Sequence, residues 1–263
     1  TSGDITITEA TGVTLTDIDT TTGGDISIVS TLGDVVITDV SAATHGTVSI
    51  TTLEGSLEGT TDDATADIVG TTVTLAADGN NKGIGATTII DIDADVLNIS
   101  TTSSGAEHDA DQSGIIQIDD VSSDATAFTS ITTGISGSAT NAGNIVIDKT
   151  ENGGAITLGA IAAGGAAGLG NVTISASAGL LNAANNAGAE ITANILDVKS
   201  GIAFGETGNN GSIDLDVATL TFGTTSGLTG AVFVDDLRTG GTSTLGAMTT
   251  VGTNITYRSV NDA

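Results

Sequence analysis

The 263-residue sequence predicts an all-β fold, a parallel β-solenoid (β-helix), from three observations. Short segments in which apolar and small polar residues alternate recur along the whole chain, and a period of two is typical of β-strands. Most of these segments follow a glycine and a small or polar residue, which are the residues that form tight turns. The chain also repeats itself over about 110–125 residues, which indicates stacked repeats.

The first strands set the spacing of the predicted coils. Strands are expected at 5–7, 13–15, 26–28 and 48–50, and each follows a glycine. The strand pairs recur about every 21–22 residues, which is close to one turn of a parallel solenoid. With ~4.8 Å added per turn, we expect roughly 11–13 coils and a rod on the order of 50–60 Å long.

The alternation also predicts which side chains line the interior. The apolar positions of the strands should point inwards, while their Thr and Ser neighbours face water. The residues expected in the core are Ile26, Ile28, Val48, Ile50, Val172, Ile174, Ile213 and Leu215.

Later segments repeat earlier ones in the same order. Residues 91–99 match 214–222, and residues 114–121 match 230–237. Asp67 likewise matches Glu190. We therefore expect one continuous solenoid over residues 1–263, and we interpret the chain as a piece of a longer protein. The predicted copies span residues 3–113, 114–229 and, incompletely, 230–263.

Helical signals are weak, and several loops interrupt the strands. Ala160–Gly170 and Ala176–Ala189 are rich in Ala and Gly, and for the second segment a short helix and a glycine-rich loop both remain open. Residues 60–65, 78–86 and 103–113 are expected to be loops. Any binding surface is expected in 78–86 and 103–113.

The charge is strongly acidic. The chain has 32 acidic and 5 basic residues and a formal charge of −27. Nucleic acid and anionic lipid would be repelled, so neither is an expected partner. No apolar run approaches the ~20 residues of a membrane helix, so membrane insertion is not expected. Divalent cations are favoured, although we expect most of the response to salt to be non-specific screening.

The clustered aspartates do not form a known calcium motif. Asp91, Asp93 and Asp95 resemble the start of an EF-hand loop, but Val96 and Thr102 stand where that loop needs Gly and Glu. We expect these aspartates on the solvated face of a strand, and we assign no metal ligand and no cofactor. Calcium at clustered aspartates stays the alternative. The clusters are Asp91 with Asp93, Asp119 with Asp120, Asp214 with Asp216, and Asp235 with Asp236.

The sequence predicts no enzyme, and we assign no catalytic or cofactor-binding residue. His45 and His108 are the only histidines, too few for a zinc site that needs three or four convergent ligands. Parallel β-helices also include polysaccharide-active enzymes, which makes such an enzyme a third, less favoured alternative. Only five basic residues and five aromatic residues are available to bind an anionic sugar chain.

Two stretches carry a family resemblance. Glu190–Gly205 and Asp214–Leu237 resemble recurring phrases of filamentous-haemagglutinin-like exoproteins and of large repetitive bacterial adhesins. The resemblance implies a right-handed β-helix that is secreted and displayed on the cell surface. It further implies a structural or adhesive stalk segment whose partners are neighbouring repeats, copies of itself, or the surface of a host or neighbouring cell. The alternative is a self-assembling extracellular filament or sheath subunit.

Overall fold

Parallel strands stack into a β-solenoid of about 9 turns, which confirms the predicted fold class. The structure is a computed structural model. It describes residues 3–42, 45–79, 82–104, 114–136, 143–165, 168–182, 188–201, 203–206, 211–222, 229–239 and 242–260. Within these ranges every regular element is a strand. The described residues include no helix that is long and apolar enough to cross a membrane.

The first eight strands have two to six residues, and the later ones range from two to fifteen. The first eight are β1 (Ile5–Glu9), β2 (Val13–Leu15), β3 (Ile18–Thr20), β4 (Ile26–Ser30), β5 (Val35–Ile37), β6 (Val40–Ala42), β7 (Thr47–Thr52) and β8 (Leu57–Glu58). The next seven are β9 (Ile68–Asp78), β10 (Ile90–Ser104), β11 (Ile116–Asp120), β12 (Thr126–Ser136), β13 (Ile145–Lys149), β14 (Ile156–Gly165) and β15 (Gly168–Leu169). The last seven are β16 (Val172–Ala176), β17 (Leu180–Asn182), β18 (Ile191–Ser200), β19 (Ile213–Phe222), β20 (Val232–Asp236), β21 (Thr244–Met248) and β22 (Ile255–Ser259).

Three ladders of strands form the first turns. One ladder runs through β1, β4, β7 and β9, the second through β2, β5 and β8, and the third through β3, β6 and β9. All these pairings are parallel, as stacked coils require. The β14–β15 pair is antiparallel and local. Each coil therefore satisfies the backbone groups of the next one.

The coils are longest in the middle of the chain and shorter at both ends, so the predicted number of turns was too high. Ile5 pairs with Ile26, and Ile26 pairs with Val48, so the first coils are short. Ile99, in contrast, pairs with Ile131, and the coil between them contains many more residues. Extrapolating the short first coils to the whole chain gave the expected 11–13. About 9 turns at ~4.8 Å give a stack on the order of 43 Å.

Apolar side chains fill the interior in the predicted register. All eight residues expected in the core are buried. In β16, Val172 and Ile174 are buried while Thr173 between them is partly exposed. Near one end, the rings of Phe204 and Phe222 meet edge to face with centroids 5.2 Å apart. One apolar cluster runs along the stack, as expected for a solenoid.

Three segments with weak strand signals contribute to the stack. Ala160–Gly165 continues strand β14, because Ile161 and Ala163 alternate into the core and the backbone pairs with β12 and β18. In Ala176–Ala189, Leu180–Asn182 forms strand β17 and pairs with β14, so the described residues of this segment contain no helix. The segment 78–86 is not only a loop. Ile84 is fully buried and bridges Leu57 of the previous coil and Ile116 of the next.

Acidic and amide side chains at the turns link successive coils. The Asp4 carboxylate accepts the N–H of Asp25 (3.0 Å), and the Asp25 carboxylate accepts the N–H of Thr47 (2.8 Å). Asn144 does the same for Asn171 (2.9 Å). A side-chain acceptor at a coil's corner thus binds the next coil, which explains the recurring Gly-Asp and Gly-Asn pairs.

Candidate metal centre

Four aspartates lie in register on four successive coils. Asp67 precedes β9, and its N–H donates to the carbonyl of Asp91 (2.8 Å). Asp91 of β10 is the register partner of Asp119 of β11, which in turn is the partner of Asp148 of β13. Neighbouring parallel strands lie ~4.8 Å apart, so this aspartate ladder brings like charges close together.

The loop 60–65 folds over this ladder at Asp91. Asp63 holds the loop in a turn, because its carboxylate accepts the N–H of Thr65 (2.8 Å) and the hydroxyl of Thr61 (3.1 Å). The N–H of Asp63 in turn donates to Oδ2 of Asp91 (3.0 Å). The turn thereby brings the neighbouring Asp62 beside the ladder, and Asp91 becomes fully buried.

Asp62, Asp91 and Asp119 form an acidic cluster. Each offers a carboxylate oxygen, and these oxygens all lie within 4.8 Å of one another. Asp91 is 0 % exposed and Asp119 is 8 % exposed, whereas Asp62 is exposed and leaves one side open to water. The three residues come from three successive coils, so anything bound between them would join those coils.

Burial makes the charged forms of the two inner carboxyls unfavourable. It raises the pKa of Asp91 to about 6, with Asp62, Asp63 and Glu151 adding repulsion. It also raises the pKa of Asp119 to about 7, with repulsion from Asp148 and Asp91. Desolvation penalises an ion unless a partner replaces the lost water. Above about pH 7 the inner carboxyls of the cluster are therefore ionised at a cost in stability, and a bound cation would offset that cost.

Two oxygen atoms of this cluster have no partner among the residues that the structure describes. They are Oδ1 of Asp91 and Oδ1 of Asp119, and both are buried. A buried polar atom without a hydrogen bond is unfavourable unless a water or an ion binds it. None of the ion pairs between described residues involves Asp62, Asp91 or Asp119.

The adjacent Asp120, on the same coil, is a buried carboxylate whose charge is neutralised by a lysine. Its carboxylate lies 2.9 Å from Nζ of Lys149, and both side chains are fully buried. Lys149 also donates to the carbonyl of Ser122 (2.9 Å) and to Oγ1 of Thr126 (3.2 Å). Asp119 and Asp120 are neighbours in sequence, yet of the two only Asp120 forms an ion pair within the described part of the chain.

The second repeat copy contains the equivalent ladder with a cation in it. Glu190 takes the place of Asp67, and its carboxylate accepts the N–H of Asp214 (2.6 Å). Asp214 is the register partner of Asp235, and Asp235 is the partner of Arg258. The guanidinium of Arg258 binds the Asp235 carboxylate with two nitrogens, Nε at 2.8 Å and Nη2. Arg258 therefore stands where the first copy has Asp148.

No protein-family model, curated protein or solved structure matches this chain. The resemblance to filamentous-haemagglutinin-like proteins is consistent with the β-solenoid and stays a prediction at the level of family.

The three aspartates that resemble the start of an EF-hand loop, Asp91, Asp93 and Asp95, have different surroundings in the structure. Ile90, Ile92 and Ala94 face the core as expected, and Asp93 and Asp95 are exposed. Asp91 is buried, which the sequence did not predict, because the loop 60–65 covers it. The three aspartates do not converge.

The other predicted clusters have different surroundings. Asp214 and Asp216 are half-buried on β19, and Asp235 pairs with Arg258. Asp236 accepts hydrogen bonds from the hydroxyl of Tyr257 and from the N–H of Arg238 (3.0 Å). His45 is exposed at a turn, and His108 lies outside the described residues, as do residues 105–113 of the predicted binding loop.

Sequence reasoning missed Asp62 and Asp148 as members of one site. Asp62 lies one coil before Asp91, and Asp148 lies one coil after Asp119, in a part of the chain where coil lengths vary. The sequence signal that could have found the ladder is the run of aspartates directly before or within strands at near-coil spacing. Recognising this signal requires the register between strands, and insertions of different length between the strands hide that register in the sequence.

Proposed function

We propose that this chain is a structural segment of a secreted protein displayed on a cell surface, where it acts as a stiff stalk and contributes to adhesion. The observation that carries the proposal is the stack of parallel strands from β1 to β22 around one apolar core. Such a stack transmits force along its axis through many backbone hydrogen bonds. It also separates whatever is attached at its two ends by a fixed distance.

The surface of the rod supports the same proposal. The net charge of −27 keeps such rods apart in solution and discourages non-specific association. Buried carboxylates such as Asp91 cannot be reached by a polymeric substrate, so we propose no enzymatic role for the acidic cluster. The partners proposed are neighbouring repeats and the surfaces of other cells.

Surface labelling tests the proposed location. Antibodies against the folded chain should label intact cells that produce the protein, and beads coated with the chain should bind to such cells. Antibodies against a cytoplasmic protein of the same cells provide the control. Labelling that appears only after the cells are permeabilised would contradict the proposal.

We propose end-to-end assembly as the second candidate function. On the coil formed by β21 and β22, Leu245, Val251, Ile255 and Val260 are between 39 % and 58 % exposed. These apolar side chains suit packing against a further coil, whether that coil belongs to a longer chain or to another copy. A filament or sheath subunit would use this surface.

Sedimentation over a range of protein concentrations separates the two candidates. A filament subunit should grow in size with concentration, and the double variant Val251→Lys with Ile255→Lys should remain a monomer. Leu32→Lys is the matched control, because Leu32 is also exposed (52 %) but lies near the opposite end of the stack. Monomeric behaviour of the unchanged chain at all concentrations would eliminate the filament.

A further inference from the structure

We propose that Asp62, Asp91 and Asp119 bind one calcium ion that links three successive coils of the solenoid. The proposal rests on four observations. Three carboxylates converge, and two of their buried oxygens have no partner among the described residues. None of the three forms an ion pair with a described side chain. In the second repeat copy, Arg258 neutralises Asp235, which is the counterpart of Asp119.

The size of the cluster suits calcium. Calcium binds oxygen ligands at about 2.3–2.6 Å, so two oxygens of the same ion lie at most about 5 Å apart. The three carboxylate oxygens lie within 4.8 Å of one another. Calcium takes six to eight oxygens. The remaining ligands would be second carboxylate oxygens and waters that enter on the exposed side of Asp62.

The chemistry of the cluster also suits a hard divalent cation. All three ligands are carboxylates, whereas zinc sites use mostly His and Cys. Asp148 and Glu151 add negative charge around Asp119, which raises the local concentration of cations. The fully buried Asp91 and nearly buried Asp119 would gain the counter-charge that the described side chains do not provide.

Hydrogen bonds to the backbone of the next coil account for one oxygen each of Asp67 and Glu190. Oδ1 of Asp91 and Oδ1 of Asp119 make no such bond to any described residue, and the same is true of Oδ1 of Asp148 and Oε1 of Glu190. The orphaned atoms point to a cation only at Asp91 and Asp119, because there they belong to carboxylates that converge with a third one.

The second repeat copy provides an internal comparison. Arg258 lies in register with Asp235 and neutralises it, and the corresponding pair of the first copy is Asp119 with Asp148. The fold thus tolerates two acidic residues on adjacent coils where a cation completes the ladder. We infer that calcium supplies in the first copy what Arg258 supplies in the second.

Calorimetric titration with calcium chloride in 150 mM sodium chloride tests binding directly. The unchanged chain should bind calcium more tightly than magnesium, because magnesium requires shorter distances and near-ideal octahedral geometry. Asp91→Asn and Asp119→Asn should each weaken binding by about tenfold or more, since calcium affinity follows the number of charged ligands. Asp93→Asn is the matched control, with the same change on the same strand but an exposed side chain, and should bind as the unchanged chain does.

Thermal melts give a readout that does not depend on calorimetry. Calcium should raise the melting temperature of the unchanged chain by on the order of 5 °C more than sodium chloride of equal ionic strength. In a chelator, Asp119→Asn should melt above the unchanged chain, because it removes one repelling charge. With calcium, the unchanged chain should melt at the same temperature as Asp119→Asn or above it.

Asp148→Arg tests the comparison between the two copies. The introduced guanidinium should bind Asp119 as Arg258 binds Asp235, so the variant should melt above the unchanged chain in chelator and lose most of the calcium response. Three results would overturn the proposal: equal effects of calcium and sodium, loss of binding in Asp93→Asn as large as in Asp91→Asn, or an unchanged calcium response in Asp148→Arg.

Discussion

Single isoleucine side chains carry much of the stability of this fold, because each lies between the coils before and after it. Ile174 is fully buried in β16, and Thr173 beside it faces partly to solvent. Ile174→Ala should lower the free energy of unfolding by about 2–4 kcal/mol, from lost burial and the cavity that remains. Urea denaturation followed by circular dichroism measures this change.

Thr173→Ala is the matched control for this prediction. It truncates the neighbouring side chain on the opposite face and should change the free energy of unfolding by less than about 0.5 kcal/mol. Equal losses for the two variants would show that the register of β16 is wrong.

Glu190 makes stability depend on pH in the opposite direction to an ordinary salt-bridged acid. Burial raises its pKa to about 7, and repulsion from Asp214 adds to this, despite the hydrogen bond from the Asp214 N–H. The folded state therefore binds a proton that the unfolded chain has released above its ordinary pKa of 4.5. Stability falls as pH rises from about 4.5 to 7, by on the order of 3 kcal/mol from this residue.

Glu190→Gln isolates this contribution. Gln keeps an acceptor for the Asp214 N–H but has no charge, so the variant should be more stable than the unchanged chain at pH 8 and similar to it at pH 4.5. Urea denaturation at both pH values, with chelator present, measures the difference. A difference that is the same at both pH values would show that Glu190 does not titrate in this range.

At the scale of the element, tight corners between strands depend on glycine where coils approach each other. Gly85 follows the bridge residue Ile84 and has a φ of +64°. A Cβ there would lie 2.0 Å from the carbonyl oxygen of Gln117 on the next coil. Gly85→Ala should therefore destabilise by about 1–2 kcal/mol from strain and about 1–3 kcal/mol more from the clash.

Gly153→Ala separates the two causes. Gly153 also has a positive φ (+79°), but a Cβ there would have no atom within 4 Å. Its replacement should cause only the loss that comes from strain. If thermal melts showed the same loss for both glycines, the close approach of the coils at Gly85 would be refuted.

At the scale of the whole molecule, the charge of −27 opposes the compact stack. Raising sodium chloride from about 10 to 150 mM shortens the screening length from about 30 to 8 Å. The melting temperature in chelator should rise over this range, because repulsion between coils is screened. Choline chloride should give the same rise, and a flat response to both salts would exclude self-repulsion as a significant factor.

The sequence by itself determined the fold class and the face of each strand. Alternation such as Val172-Thr173-Ile174 is local, and one buried face fixes its register, so the core could be read without any knowledge of the coils. The repeat between 114–121 and 230–237 likewise predicted matching elements, and β11 and β20 have the same pattern of burial.

Only the tertiary structure decided the number of turns and the acidic residues that meet. The coil that begins at Ile99 is much longer than the one that begins at Ile5, so spacing in the sequence no longer indicates which residues are stacked. The strands β10 and β11 place Asp91 on Asp119, and the turn around Asp63 brings Asp62 to them. These contacts depend on loop length and on the path of the backbone. Short-range hydrophobic patterns reveal the strands, but they carry no information on how a loop folds or on which coils its residues reach.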